Sequence, residues 1–444
     1  MDRDAVEPQV GTIPGERARA AVDHHHTHAA PSTAVYGFVW DADAPAIGPF
    51  CTDVDGNVLM DWASHVGSSP LGYNNPKLIE KLDAFDLVDP GKFAGQDFYA
   101  EYGESELPTA ADLMDRLTDE SSQYGMDTVF LSNSGTEAVE NSLKISYDHR
   151  GGGELITFEG AFHGRTLGAL SLNRSKAVHR RDFPTVGRVH DLPFCADGGC
   201  SQDSCDCGFF TDDGSALWRK LDPATGHVDP DDVAAIVLEP IQGEGGYRFP
   251  SDDFAAEIDH VTSELDVPLV VDEVQSGIGR TGEFWASDHY PFEPDVIASA
   301  KALRVGATIS RSEIFPEEKG RLSSTWGGGD LQGIAAGAIT IDIINDDGLM
   351  NNAVERGRNC IERLGDAVGD SPAVEDVRGK GLLMAVEFDS KDRRETVLDA
   401  AFERGLLTLG CGHRTIRLLP PLDSTEREIE LGAELFADAI AGAT

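Results

Sequence analysis

Ten lysines serve a chain of 444 residues, and one of them stands apart. Lys301 follows P-D-V-I-A-S-A at 294–300, an apolar, small-residue run without a neighbouring charge. Lys77, Lys81 and Lys391 sit instead among charged or turn residues. Desolvation lowers the pKa of an amine and makes it a nucleophile for carbonyls; a core-edge lysine that reaches back to water is the other use of such a position. Asp272 ends a second apolar run, V-P-L-V-V-D at 267–272. A carboxylate carried there needs a positive partner, and a protonated pyridine nitrogen is one. S-N-S-G-T-E-A at 132–138 reads as strand end, turn and helix start. A helix N-terminus offers free N–H groups to a phosphate, Gly135 permits close approach and Thr136 adds a hydroxyl. A plain N-cap uses the same residues, and the G-K-[ST] ending of a Walker A loop is missing.

These residues need elements to place them. D-T-V-F-L-S, G-E-L-I-T-F, A-A-I-V-L-E-P, V-P-L-V-V-D-E and P-D-V-I-A-S-A are short apolar runs alternating with helix patterns between about 110 and 340, including a helix at 136–149. Such alternation predicts an α/β domain with a mostly parallel central sheet flanked by helices. The last hundred residues change character. Helix patterns near 349–366 and 393–404 flank strands in G-L-L-M-A-V-E-F and T-I-R-L-L-P, which predicts a smaller α+β domain. The expected division is a flexible arm over 1–34, a small-domain segment over 35–75, a large domain over 76–344 with a cysteine-rich insertion at 195–210, and a C-terminal small domain over 345–444. C-T-D-V-D-G-N-V-L-M-D-W reads as a hairpin in the second of these, and the arm carries H-H-H-T-H at 24–28.

A phosphate cradle, a strand-end aspartate and a desolvated lysine together match the needs of pyridoxal phosphate. Their order and spacing resemble the class III (omega) aminotransferases of fold type I, from about residue 35 to the C-terminus. A-F-H-G-R-T at 161–166, L-E-P-I-Q-G-E-G-G at 238–246, V-D-E-V-Q-S-G-I-G-R-T-G at 271–282, S-S-T-W-G-G at 323–328 and I-R-L-L-P-P-L at 416–422 extend the likeness. The resemblance implies that Lys301 holds the cofactor covalently and shuttles a proton, while Asp272 keeps the ring nitrogen protonated. It places Phe162, beside His163, and Val274 on opposite ring faces, Gln275 at the ring hydroxyl, and Glu239 among the cofactor-binding residues. Gly135 and Thr136 would bind the phosphate with Thr325 of a second subunit, so a homodimer is implied.

The resemblance also implies substrates: an omega-amino donor of 4-aminobutyrate, lysine or ornithine type, and 2-oxoglutarate. Arg417 would bind the α-carboxylate of the 2-oxo acid and pair with Glu244 when that acid is absent; Arg165 is a further carboxylate-binding position. After Lys301 the sequence reads A-L-R-V-G-A-T-I-S, closer to lysine 6-aminotransferases than to 4-aminobutyrate enzymes. A racemase or semialdehyde aminomutase of the same fold remains the alternative.

Composition excludes other classes. With 78 acidic against 36 basic residues the net charge is -42, which repels nucleic acid and anionic membranes. Acid excess with so few lysines fits a cytoplasm of molar salt, a halophilic habit, where charge is screened within about 3 Å. No apolar run approaches the roughly 20 residues of a membrane span, and the opening M-D-R-D-A-V-E lacks a signal-peptide pattern, so a cytoplasmic enzyme is expected. Four of the seven cysteines, Cys195, Cys200, Cys205 and Cys207, fall within 195–207. Thiolates so spaced can enclose zinc or an iron–sulfur centre; a loop of reduced or disulfide-bonded cysteines is the plainer reading.

Overall fold

Strands of four to six apolar residues cannot leave either face in water, so they need cover on both sides. The computed structural model describes residues 1–33, 35–84, 107–196, 200–329, 331–369 and 371–443. It divides into two units, Met1–Ile79 with Asn351–Thr444, and Glu80–Met350.

The larger unit provides that cover around a seven-stranded sheet: β1 (Thr128–Ser132), β2 (Glu154–Phe158), β3 (Arg188–Leu192), β4 (Val233–Leu238), β5 (Leu269–Asp272), β6 (Val296–Ser299) and β7 (Gly306–Ser310). The spatial order is β1-β7-β6-β5-β4-β2-β3. Every pairing is parallel except the two made by β7, which runs against its neighbours. Helices α1 (Ala110–Asp119), α2 (Gly135–Arg150), α3 (Leu167–Leu172), α4 (Asp252–Leu265) and α5 (Leu331–Asp346) belong to the same unit. Ala138, Val139 and Leu143 of α2 are buried in one cluster with Ala235, Val237, Val270 and Ala298 of the sheet. The helix starts are set by side chains: Thr109 forms a capping box with Asp112, and the hydroxyls of Ser134 and Ser251 cap α2 and α4.

Because six strands point one way, their carboxyl ends share an edge, where open α/β sheets bind ligands. β1 leads there to Gly135, β2 to Phe162, β4 to Glu239, β5 to Asp272 and β6 to Lys301. The turn after β6 is tight. Lys301 has φ +46 and Arg304 φ +62, a left-handed backbone that costs a non-glycine residue about 1–3 kcal/mol. Gly337 of α5 accommodates this turn, since a Cβ there would stand 2.5 Å from the Leu303 carbonyl oxygen.

The smaller unit contains the expected hairpin, Phe50–Thr52 with Val58–Asp61, joined in parallel by Leu406–Leu407. A second sheet orders Val374–Lys380, Leu383–Phe388, Thr415–Leu418 and Leu409–Cys411, all antiparallel. Trp62 is fully buried beside Gly432 of helix Glu426–Ala443, where an added Cβ would meet the indole at 2.0 Å. The opening segment, expected as a flexible arm, carries helix Glu16–His26, a bridge from Gln9 to Val58, and Arg3 paired with Asp423 and Glu428 at 2.9 and 2.8 Å. No helix among the described residues is long and apolar enough to cross a membrane.

Candidate active site

The strand alternation that buries β5 sends Asp272 and Glu273 opposite ways. Asp272, 6% exposed, shares a 2.8 Å hydrogen bond between Oδ2 and His163 Nδ1, and its Oδ1 accepts the Val274 N–H at 3.1 Å. Burial opposes protonation of His163, but the bond to Asp272 and its charge outweigh that and lift the imidazole above its ordinary value. The His163 N–H donates to Asn173 Oδ1 at 2.6 Å, which fixes the turn after β2. Glu273 instead accepts from the Ser276 hydroxyl and from both the N–H and hydroxyl of Ser287, away from Asp272's partners.

Glu239, just past β4, ties two loops together. Its Oε1 accepts the Phe162 N–H at 2.9 Å and its Oε2 the Gly243 N–H at 2.8 Å. Burial pushes its carboxyl up to about 7, helped by the Asp272 charge and opposed by His163 and the two N–H groups. Gly243 lies against Gln275, whose buried Oε1 has no hydrogen-bond partner among the described residues.

At β1 the Ser134 hydroxyl takes the Glu137 N–H, and the Gly135 and Thr136 N–H groups are left without a partner among the described residues. Gly135 is required here: a Cβ would stand 2.8 Å from Val274 Cγ1. Thr136 Oγ1 meets Thr166 Oγ1 at 2.8 Å, and Glu140 accepts from the Thr166 hydroxyl and the Ala169 N–H, which joins α2 to the turn before α3. The loop at 323–328 leans on the end of β1 through Asn133 Nδ2 and Ser324 Oγ at 3.5 Å, with Thr325 exposed. Its glycines 327–329 all have positive φ, between 53° and 106°.

Residues 44–440 match the family model for class-III aminotransferases. The chain belongs to that family. The acetylornithine aminotransferase of Methanopyrus kandleri is 32% identical over 403 residues, covering 89% of this chain and 93% of that protein. The 4-aminobutyrate aminotransferase of Mycobacterium leprae is 31% identical over 411 residues, 88% and 89% of the two chains. An alanine/serine racemase of Pyrococcus horikoshii is 30% identical over 412 residues, 88% and 84%. The solved lysine aminotransferase of M. tuberculosis superposes with TM-score 0.82 at 26% identity, over 98% of this chain and 100% of that one. The fold of this aminotransferase is fold type I.

Pyridoxal phosphate is expected of the family, and the residues at the sheet edge fit it. Among the described residues Gln275 offers a buried acceptor without a partner, α2 two open N–H groups, and β5 a braced, buried carboxylate. Lys301 leaves the same edge one strand away, since Ala298 of β6 is level with Asp272 of β5.

Arg165 and Glu244, two of the residues expected to meet substrate, are more exposed than the groups around Asp272. The Arg165 guanidinium stands 5.3 Å from the Phe162 ring centroid. Lys176 Nζ donates to Glu244 Oε1 at 2.6 Å, a pair with side chains 30% and 18% exposed. The sequence reading missed Lys176, whose surroundings, N-R-S-K-A-V-H-R-R, look like any charged turn. His179 packs edge-on against Phe162 and interacts electrostatically with Arg165, Glu244 and Lys176; burial, then Arg165, hold its imidazole below the ordinary value. In the smaller unit Arg417 is 7% exposed in strand Thr415–Leu418, between Ala385 and Leu409. The four clustered cysteines are all free thiols, with their Sγ atoms within 4.8 Å of one another.

Proposed function

We propose that this aminotransferase moves the terminal amino group of an amino acid of 4-aminobutyrate, lysine or ornithine type to 2-oxoglutarate, giving a semialdehyde and glutamate. The observation that carries the reading is the charged set around Phe162: Arg165, Lys176 and Glu244. Cations there suit a donor whose carboxylate lies far from its reacting amine, and an anion that can release a cation suits a site taking two different acids in turn. The buried Arg417 supports an α-carboxylate clamp.

Bound pyridoxal phosphate supplies an electron sink that weakens the C–H bond beside the donor nitrogen. Lys301 would hold the cofactor and then carry the proton at Nζ. Asp272, braced by His163, would hold the cationic ring nitrogen. Gln275 would meet the ring hydroxyl, with Phe162 and Val274 against the ring faces. Glu239 keeps Phe162 in place through its backbone. Gly135 and Thr136 would hold the phosphate together with the exposed Thr325 of a second copy, which makes the working unit a homodimer.

The test is a donor screen on the holoenzyme with 4-aminobutyrate, lysine, ornithine and N-acetylornithine, scoring glutamate formed from 2-oxoglutarate. Glutamate from at least one terminal amine is expected. The racemase relative favours a second reading, so single enantiomers of alanine and serine belong in the same screen. Inversion without glutamate would replace the transaminase reading.

A further inference from the structure

The geometry points to a mononuclear zinc site in the 195–210 insertion, held by Cys195, Cys200, Cys205 and Cys207. Residues 197–199 of this insertion lie outside the described residues, but all four thiols are described. Three of the sulfurs form a triangle, with Cys200 2.9 Å from Cys205 and 3.2 Å from Cys207, and Cys205 3.4 Å from Cys207. The fourth, on buried Cys195, completes a set whose members all lie within 4.8 Å. Zinc bound by four thiolates at about 2.3 Å needs sulfurs about 3.8 Å apart, a small outward adjustment of this set. A two-iron cluster holds its cysteines in pairs on two iron atoms and a four-iron cluster one on each iron, so sulfurs on different irons would have to stand farther apart than these four, all within 4.8 Å. A disulfide would use one pair and leave two thiols, one of them buried, pressed against it.

The surroundings are those of metal-bound sulfur. The Phe210 N–H donates to Cys205 Sγ at 3.3 Å and the Ser251 hydroxyl to Cys195 Sγ at 3.4 Å. The insertion has little else to fold around. It runs into a two-residue hairpin, Phe210–Thr211 with Gly214–Ser215, and is pinned at Gln202, whose N–H donates to Asp253. Below it lies an aromatic cluster in which Phe254 contacts Phe158, Phe194 and Phe209 at ring distances of 5.3, 5.0 and 4.7 Å. Phe158 ends β2, four residues before Phe162. The metal would therefore be structural, closing a loop over the packing behind the cofactor turn.

The experiment is elemental analysis of the native holoenzyme, purified without added metal and dialysed, together with the Cys205→Ser/Cys207→Ser variant. About one zinc per chain in the native protein and none in the variant is expected. If the variant does not fold, a mercurial titration of the native protein gives the same answer: zinc should leave as four thiols are consumed. Cobalt exchanged into the site should show the long-wavelength bands of tetrahedral thiolate coordination, away from the cofactor's absorption. A metal-free native protein, iron with acid-labile sulfide, or a mass two hydrogens below that of the reduced chain would each overturn the proposal.

Discussion

The two sides of the site are built on different principles. On one, Asp272, His163 and Glu239 are buried and tied by short hydrogen bonds to backbone or to one another, and Glu273, directed away from them, is buried and bonded to Ser276 and Ser287 behind them. On the other, Arg165 is exposed, Lys176 and Glu244 are half-buried, and their bonds run between side-chain tips. Buried polar groups tied into hydrogen bonds resist rearrangement, because breaking such a bond leaves an unsatisfied group out of reach of water. Partly solvated pairs exchange partners at little cost. The fixed side suits chemistry common to the family, and the adjustable side suits recognition of a particular donor.

The contrast can be broken by substitution. Lys301→Ala should have the largest effect, lowering kcat by on the order of 10³-fold and abolishing the covalent retention of cofactor that borohydride reduction before denaturation would fix in the parent. Cofactor still covalently attached in that variant would remove Lys301 from the fixed side. Lys176→Met acts on the adjustable side. Its expected signature is a KM for the amino donor raised roughly tenfold, with kcat within a few-fold. A collapse of kcat with unchanged KM would mean that Lys176 belongs to the chemistry instead.

The smallest effect tests the rigidity itself. Burial pushes the Glu273 carboxyl up to about 7 from an ordinary 4.5, although Ser276 and Ser287 donate to it. The fold therefore holds this proton more tightly than the unfolded chain does. The stability so gained is complete below about pH 4.5 and is lost as pH rises through about 7. Glu239 shifts the same way. Glu273→Gln should flatten, without abolishing, the fall in denaturant midpoint between about pH 5 and pH 8. A variant whose midpoint falls as steeply as the parent's would show that Glu273 does not titrate in that window.

What the sequence disclosed follows the same division. Lys301 and Asp272 were legible because each ends an apolar strand, a local pattern that only a chemical role or a buried partner explains. Lys176 was not, since its meaning lies in a carboxylate 68 residues away. His163 was visible only as a neighbour of Phe162; its bond to Asp272 spans 109 residues. The parallel core was readable from its apolar runs, whereas β7 was not. Five residues starting at a glycine, directly after the lysine turn, carry too little periodicity to announce a strand.

That strand has a consequence for how the enzyme comes into being. β1 is an edge strand whose sheet partner is β7, so Thr128–Ser132 must wait for Gly306–Ser310. A growing chain emerges from its N-terminus at about 5–20 residues per second. The helix start at Gly135 is thus synthesised early, yet its supporting strand cannot be clamped until some ten seconds or more of further synthesis have passed. During that interval the apolar edge of β1 stays open to pairing with other chains. The same late arrival brings Lys301, five residues ahead of β7, so Lys301 and the helix start at Gly135 are secured in a single closing event.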